Sequence, residues 1–449
     1  MRGLILAEVV RQWRLWIAAG ITFVAAAALL AMCFGLVFAV SGTTEYARLV
    51  LSGLPGTIAI FGGLTAALVA QGVCALAVQA QRREHALWSL LGASPATIRL
   101  VVMAQITVLG VSAGILGSLA HVPLARLLGA QIIALTDGLT PSDLVIEPSL
   151  GAVLATVGTT AAIAALSALR PARIAAQVPP LSALRAEPPV RRRLGVLAII
   201  VAGISLAAMI GTVLSVRTTS DMFSAMSGLP MLCVLVAVFL AALGPVLYPA
   251  IATAWSALVP RRLGTPWALG REGAVHRLHG ATAMIGPLVA AAVLVGGMLS
   301  AFAVMGAAME LQTGMRPNDP DLAQIAIMLG GPVAVAAVGA AATVVMSARV
   351  REREQRALEL AGAARGTLVG GALCEGLVVV ITAGLVTLAG VALTAGLVTA
   401  ALAPQTPGLV MTWAPLPALV ICGAGGALVL AAIVLPVALG RSRATLVRD

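Results

Sequence analysis

Lysine is absent from this sequence: all 28 basic residues are arginine, and charged residues make up only 10% of the 449 positions. A P-loop that binds nucleotide phosphates needs a Gly-x-x-x-x-Gly-Lys-Ser/Thr motif, which a chain without lysine cannot contain. Aromatic residues amount to 3%, and no aromatic cage or charged pocket is visible along the chain. The chain therefore has no P-loop of its own, and its sequence does not reveal a substrate.

Cysteine is also scarce and carries no recognisable chemistry. None of the five cysteines belongs to a Cys-x-x-Cys pair, and all lie in apolar runs: Cys33, Cys74, Cys233, Cys374 and Cys422. Such residues behave as small buried apolar side chains, not as disulfides or metal ligands. His276 and His279 are three positions apart, but no cysteine or carboxylate completes a metal set, so we interpret them as side chains at the membrane surface. We predict a non-catalytic chain without a cofactor or metal of its own.

Apolar residues are abundant, at 60% of the chain with a mean hydropathy of +1.05. These values are typical of proteins that cross a membrane several times. Ten apolar runs each reach the ~20 residues that a helix needs to cross the hydrocarbon. We predict an all-α integral membrane protein with spans at about 15–40, 54–78, 100–128, 149–169, 194–216, 230–258, 281–307, 323–348, 367–402 and 415–439.

The arginines predict how the chain is oriented. With the N-terminus inside, cytoplasmic segments hold 24 arginines, and only Arg48, Arg126, Arg217 and Arg316 lie outside. Such a bias is the positive-inside signal, and it places both termini in the cytoplasm. The net charge of +11 is then explained by topology and by contact with anionic lipid, so nucleic-acid binding needs no separate hypothesis. Lysine-free, alanine-, valine- and arginine-rich usage favours a high-GC bacterium, and we expect the chain in its plasma membrane.

The rest of the chain is organised around a stretch between the second and third spans. Arg83 and Glu84 begin a short helix with one apolar stripe, formed by Ala86, Leu87, Leu90 and Leu91. Gly92 and Ala93 follow, and glycine suits the position just past a helix end. Ser94 and Pro95 suit the cap and first position of the helix that enters the membrane. A short surface helix with an apolar face needs something to pack against.

The same pattern returns 270 positions later. Arg353 and Glu354 repeat Arg83 and Glu84, and the second copy continues through Leu358, Leu360, Gly362 and Ala363. We infer two like-oriented halves, spans 1–4 and spans 7–10, because the two spans between them preserve orientation. In the third span Gly110, Gly114 and Gly117 are small residues that allow close helix packing in lipid.

One acidic residue lies inside the predicted spans, Glu375, and its repeat mate is Gln105, 270 positions earlier. Such residues are costly in lipid and often functional. Glu375 forms either a polar contact between helices or a snorkelling side chain near the interface. A proton relay through a single glutamate is the third interpretation. Since the predicted spans hold no other acidic group, the energy for any transport must come from elsewhere, and two surface helices suit two copies of a soluble ATPase.

These residues carry a family resemblance. The segment from Arg83 and Glu84 through Gly92 and Ser94, leading into a glycine-rich helix, resembles the FtsX-like (MacB-type) permease domain of ABC transporters. The basic linker 170–185 is similar to the segment that ends that domain, and Glu375 matches a glutamate common in the family, where Gln105 departs. The resemblance divides the chain into 1–53 (N-terminal amphipathic helix and first span), 54–185 (first permease domain), 186–280 (linker with spans 5 and 6), 281–322 (span 7 and a short outer loop) and 323–449 (second permease domain).

The resemblance implies a separate ABC ATPase that binds ATP and magnesium, in two copies per permease chain, with the chain acting as a monomeric pseudo-dimer. It implies lever-like action on substrates at the outer face. The loops 41–53 and 309–320 are too short for the extracytoplasmic domains of many relatives. The expected contacts with the ATPase are Arg83, Glu84, Leu87, Leu90, Leu91, Gly92, Ala93, Arg353, Glu354, Leu358, Leu360, Gly362 and Ala363.

Three hypotheses follow. The first is a permease that exports or extracts an amphipathic compound such as a drug, an antimicrobial peptide or a lipid. The second is a module that uses the same ATPase motion to signal to a partner in the cell envelope; retention of a labelled drug in cells lacking the gene would separate it from the first. The third is a secondary transporter, for which Glu375 would be essential and the ATPase would not.

Overall fold

A computed structural model describes residues 13–39, 45–136, 139–140, 145–177, 195–219, 228–260, 264–280, 285–314 and 322–439. Most of the amphipathic segment predicted at the N-terminus, the second half of the basic linker 170–185 and the C-terminal arginines lie outside the described residues. Within them there are thirteen helices and no strand. Ten of these helices are long and apolar enough to cross a membrane, which confirms the prediction of an all-α protein with ten spans.

The helices are numbered in chain order. They are α1 (Trp13–Ala39), α2 (Glu45–Ala80), α3 (Arg82–Leu90), α4 (Pro95–Ser118), α5 (His121–Leu135), α6 (Leu150–Ala176), α7 (Val196–Thr218), α8 (Pro230–Ala257), α9 (Thr265–Gly280), α10 (Gly286–Thr313), α11 (Leu322–Leu360), α12 (Arg365–Leu402) and α13 (Pro415–Leu439). Three of them, α3, α5 and α9, are not spans.

Several helices run beyond the predicted spans. Helix α2 begins at Glu45, so most of the expected polar loop 41–53 is helical, and α6 continues through Pro171 to Ala176. Helix α11 does not end with the eighth span but continues to Leu360, so the second surface helix is the end of a longer one. Hydropathy detects only the part of a helix that suits lipid, whereas the backbone hydrogen bonds continue in water.

The prediction for the third span, about 100–128, was wrong in one respect. Helix α4 ends at Ser118, a turn follows, and His121 begins the separate helix α5. The last turn tightens, because the Ala120 N–H donates to the Gly117 carbonyl at 3.1 Å. The ring Nδ1 of His121 lies 2.7 Å from the Ser118 carbonyl and satisfies a group that the helix end leaves free. In the second half the matching helix α12 is unbroken.

The chain forms two compact units. The first contains residues 1–188 and 320–346, and the second contains 189–319 and 347–449. The start of α11 therefore packs with the first unit, where Gly331 faces Leu29 and Gly339 faces Val69. Packing thus does not follow the boundary of the sequence repeat, which would place all of α11 with the second half.

Glycines bring the helices of the first unit close together. A Cβ at Gly110 would overlap Ala164, and one at Gly114 would lie 3.0 Å from the Val157 Cα, so both glycines press α4 against α6. Gly117 presses α4 against α1, with a Cβ position 2.8 Å from the Ala27 carbonyl carbon. All three glycines therefore lie at close helix contacts, where a side chain would separate the backbones.

The second unit is built around α10, which is buried along most of its length. It packs against α8, α12 and α13. A Cβ at Gly297 would lie 3.0 Å from the Cys233 Cβ of α8 and 3.2 Å from the Thr394 Oγ1 of α12. Gly296 faces Ala418 of α13. Two adjacent glycines thus allow α10 to touch three helices at one level.

We expect Gly110→Ala to lower the stability of the protein by about 1–3 kcal/mol, because the added methyl group overpacks the contact with α6. Gly158→Ala is the matched control: Gly158 is exposed on α6 with nothing within 4 Å of its Cβ position, so alanine should be neutral or slightly stabilising. Thermal unfolding in detergent, followed by circular dichroism, measures both. Equal melting temperatures for the two variants would contradict the packing described for α4 and α6.

Candidate functional site

The turn after α3 has a fully hydrogen-bonded helix end. The Gly92 N–H donates to the Ser89 carbonyl at 3.1 Å and the Ala93 N–H donates to the Trp88 carbonyl at 2.9 Å, which together form a Schellman motif. Gly92 has φ +88°, a left-handed conformation that glycine adopts without strain. Ser94 then caps α4, since its Oγ accepts from the Thr97 N–H at 3.1 Å. The chain therefore enters α4 in one defined direction.

Helix α3 has one buried and one exposed face. His85 and Ala86 are buried, and the rings of His85 and Trp88 meet edge to face at 5.4 Å between centroids. The other face is apolar and uncovered: Leu87 is 52% exposed, Leu90 54% and Leu91 86%. The predicted stripe is thus divided, with Ala86 directed inward and the three leucines outward. We call these three leucines the α3 tip.

The second copy follows the same backbone path. Gly362 has φ +87°, and Ala364 (φ −66°, ψ 141°) has nearly the conformation of Ser94 (φ −68°, ψ 151°). Leu360 ends α11 with 90% of its side chain exposed. Helix α12 then begins at Arg365, 270 positions after Pro95 at the start of α4. Two separate parts of the chain thus present an exposed leucine, a left-handed glycine and a new long helix in the same order.

Not every predicted contact residue can be placed. The side chains of Arg83, Arg353, Glu354 and Leu358 lie outside the described residues. Glu84, Ala93 and Ala363 are half-buried beside the two turns.

Glu375 lies inside the second unit. Only 6% of this side chain is exposed, and its Oε2 lies 3.7 Å from the Cβ position of Gly273 on α9. Gln105, its repeat mate, is 3% exposed on α4. Burial of both residues favours the interpretation of a polar contact over that of a snorkelling side chain.

Helix α9, which lies at the end of the predicted linker 186–280, packs tightly on α12. A Cβ at Gly270 would lie 2.5 Å from the Gly371 carbonyl oxygen and 2.6 Å from the Cys374 Cβ. Gly371 in turn faces Leu269 at 3.0 Å, so the two backbones touch. The signal that could have revealed this contact is Gly270 and Gly273, three positions apart and therefore on one helix face.

Two hydrogen bonds extend this contact to α8. The Trp255 Nε1 donates to the Thr382 Oγ1 of α12 at 3.0 Å, and the Arg271 Nε of α9 donates to the Ser256 Oγ at 3.0 Å. The Trp255 and Trp267 rings meet at 6.4 Å between centroids. Helices α8, α9 and α12 are therefore joined along the first half of α12, between Gly371 and Thr382. Within the described residues no group of three or more His, Cys, Asp or Glu side chains is placed to hold a metal ion.

No model of a known protein family matches the chain, and no curated protein matches it. The features that indicate a function are therefore the two turns, the exposed leucines and the helices that follow them.

We expect Thr382→Val to lower stability by about 1–2 kcal/mol, since the Trp255 indole N–H would lose its acceptor. Thr399→Val is the control on the same helix, because the Thr399 hydroxyl bonds only its own helix, at the Ala395 carbonyl. Thermal unfolding in detergent compares the two, and intrinsic fluorescence reports the environment of Trp255. A loss of equal size in both variants would show that the contact between α8 and α12 contributes nothing.

Proposed function

We propose that this chain is the transmembrane subunit of an ATP-driven transporter that resembles the FtsX-like, MacB-type ABC permeases. It would lie in the bacterial plasma membrane with both termini in the cytoplasm and bind a separate ABC ATPase at two places. The ATPase would drive the export or extraction of an amphipathic compound. The observation that carries the proposal is the pair of matching turns, at Gly92 and at Gly362, each with exposed leucine before it and a spanning helix after it.

The exposed leucines support a protein partner. The α3 tip and Leu360 are exposed at helix ends outside the candidate spans. Burying a leucine contributes about 1.5–3 kcal/mol, and exposed apolar clusters mark interaction sites on proteins. Helix α3 has only nine residues, which suits insertion into a cleft of a partner.

The turns also suit the transmission of force. Because the Schellman motif and the Ser94 cap hold the turn after α3, a push on the α3 tip would move α4 as well. In the second copy a push on Leu360 would reach α12 through the turn at Gly362. Helix α12 packs closely against α9 at Gly270 and Gly371, and α9 precedes α10 in the chain. Motion of the turn at Gly362 would thus move several helices of the second unit.

We expect Leu90→Asp and Leu360→Asp to weaken binding of the ATPase by about 10–100-fold, since each change removes 1.5–3 kcal/mol of apolar burial. The measurement is stimulation of ATP hydrolysis when the purified chain is mixed with its ATPase. Leu258→Asp is the control, because Leu258 is 84% exposed at the end of α8 and belongs to neither turn. Normal stimulation in the first two variants would overturn the proposal.

Glu375 allows a test of the secondary-transporter hypothesis. We expect Glu375→Gln to keep its transport activity, because the matching position of the first half holds glutamine, Gln105, which is equally buried. Uptake or efflux of a labelled amphipathic compound in intact cells measures this, with the ATPase present and deleted. Transport that survives loss of the ATPase and stops in Glu375→Gln would favour a secondary transporter.

A further inference from the structure

The loop after α12, residues 403–414, is held firmly at the end of the helix farthest from Gly362. The Gln405 side-chain amide donates to the carbonyls of Val216 at 2.9 Å and Thr219 at 2.7 Å, at the end of α7. The Gln312 side chain of α10 donates to the Gln405 carbonyl at 3.0 Å. Thus two helices hold the loop where it leaves α12.

The other end of the loop is bound lower on α10. The Ala414 N–H donates to the Ser300 Oγ at 3.0 Å, and α13 begins at the next residue, Pro415. From Ser300 to its end at Thr313, α10 runs for about 20 Å at 1.5 Å per residue. The loop therefore descends along α10 from the level of Gln312 to that of Ser300.

Helix α12 also continues past the start of α13. Gly296 faces both Val391 of α12 and Ala418 of α13, which puts these residues at one level. From Val391 to Leu402, α12 runs for about 16 Å further. Helices α10 and α12 thus project beyond the start of α13, and the loop lies along this projection.

The loop presents an uncharged apolar surface. Val410 is 75% exposed, Met411 40% and Trp413 46%, and the surface continues without a break onto Leu416 (72%) and Val420 (68%) of α13. No charged residue occurs between Ala403 and Val420. We call these five exposed side chains the 410–420 surface.

We propose that the 410–420 surface binds the acyl chains of membrane phospholipid, in the leaflet away from the coupling turns. It is continuous with the lipid-facing side of the spanning helix α13, and a tryptophan at the end of a span is typical of the membrane interface. A soluble protein partner would leave polar or charged residues at the rim, and this stretch has no charge. The assignment of the leaflet rests on the proposed function and orientation; the lipid contact does not.

The surface has a direct connection to one turn. Helix α12 runs unbroken for 38 residues, about 57 Å, from the turn at Gly362 to the clamped loop. In the first half the matching path is broken at Leu119 and Ala120, and the loop beyond α5 carries the exposed acid Glu147. The unbroken path therefore belongs to the second half, and motion of α12 would move the 410–420 surface against the acyl chains.

Tryptophan fluorescence tests the contact on the purified full-length chain alone. Wild type and Trp413→Phe are reconstituted into vesicles of dioleoylphosphatidylcholine, or of phosphatidylcholine dibrominated along its acyl chains, and the difference between the two proteins isolates Trp413. We expect the Trp413 component to be quenched at least about twofold by the brominated lipid, as for a ring at the acyl boundary, and to resist iodide. Quenching by iodide with no effect of brominated lipid would overturn the proposal.

Trp88→Phe is the matched control, because Trp88 lies on α3 outside the spans and its component should show no preference for brominated lipid. If Trp413→Phe fails to fold, Met411→Trp places a new reporter on the same surface and should add a component quenched by brominated lipid. Neither measurement uses an ATPase. If brominated lipid does not quench Trp413 but ATPase stimulation is normal, the lipid surface is wrong and the proposed function stands. If brominated lipid quenches Trp413 but ATPase stimulation is absent, the lipid surface stands and the proposed function is wrong.

Discussion

Close approach of helix backbones is the constraint on which both units depend. Lipid is as apolar as the side chains that face it, so the hydrophobic effect does not hold helices together within the bilayer. Packing and short contacts must do so, and both require small residues. Gly110 and Gly114 in the first unit, and Gly296 and Gly297 in the second, each bring a helix into contact with a neighbour's backbone or Cβ. These contacts hold α4 and α12 along the halves that are farther from the turns at Gly92 and Gly362.

Rigid helices give the two turns their significance. An exposed leucine on a mobile loop would bind a partner without moving anything else. Here Leu90 and Leu360 stand beside glycines in a left-handed conformation, and each glycine leads within three residues into a long helix. In the second unit α9 adds a further constraint. Its glycines pack it tightly against α12, and Arg271 of α9 donates a hydrogen bond to Ser256 of α8. The resulting arrangement suits a lever better than a cavity.

The two halves are similar in sequence but differ in whether their long helices are interrupted. The first has a separate nine-residue helix α3 and a break after Ser118. The second has an unbroken α11 and an unbroken α12. The sequence repeat does not predict this difference, because both turns have a glycine at the same distance from the start of the next helix. The break depends on how Ser118 and His121 satisfy the carbonyls at one helix end, and no matching pair occurs in α12.

Local properties of the sequence determined much of this protein. Hydropathy predicted ten spans, and α13 begins and ends at the predicted residues, Pro415 and Leu439, because the polar groups of a chain in lipid must be satisfied within helices. Glycine at 92 and 362 predicted two turns, because few other residues adopt that conformation. Only the tertiary structure decided that Glu375 is buried against α9, that the start of α11 joins the first unit, and that residues 403–414 lie along α10. These depend on contacts between residues about 100 or more positions apart along the chain, and no local pattern of residues encodes such pairings.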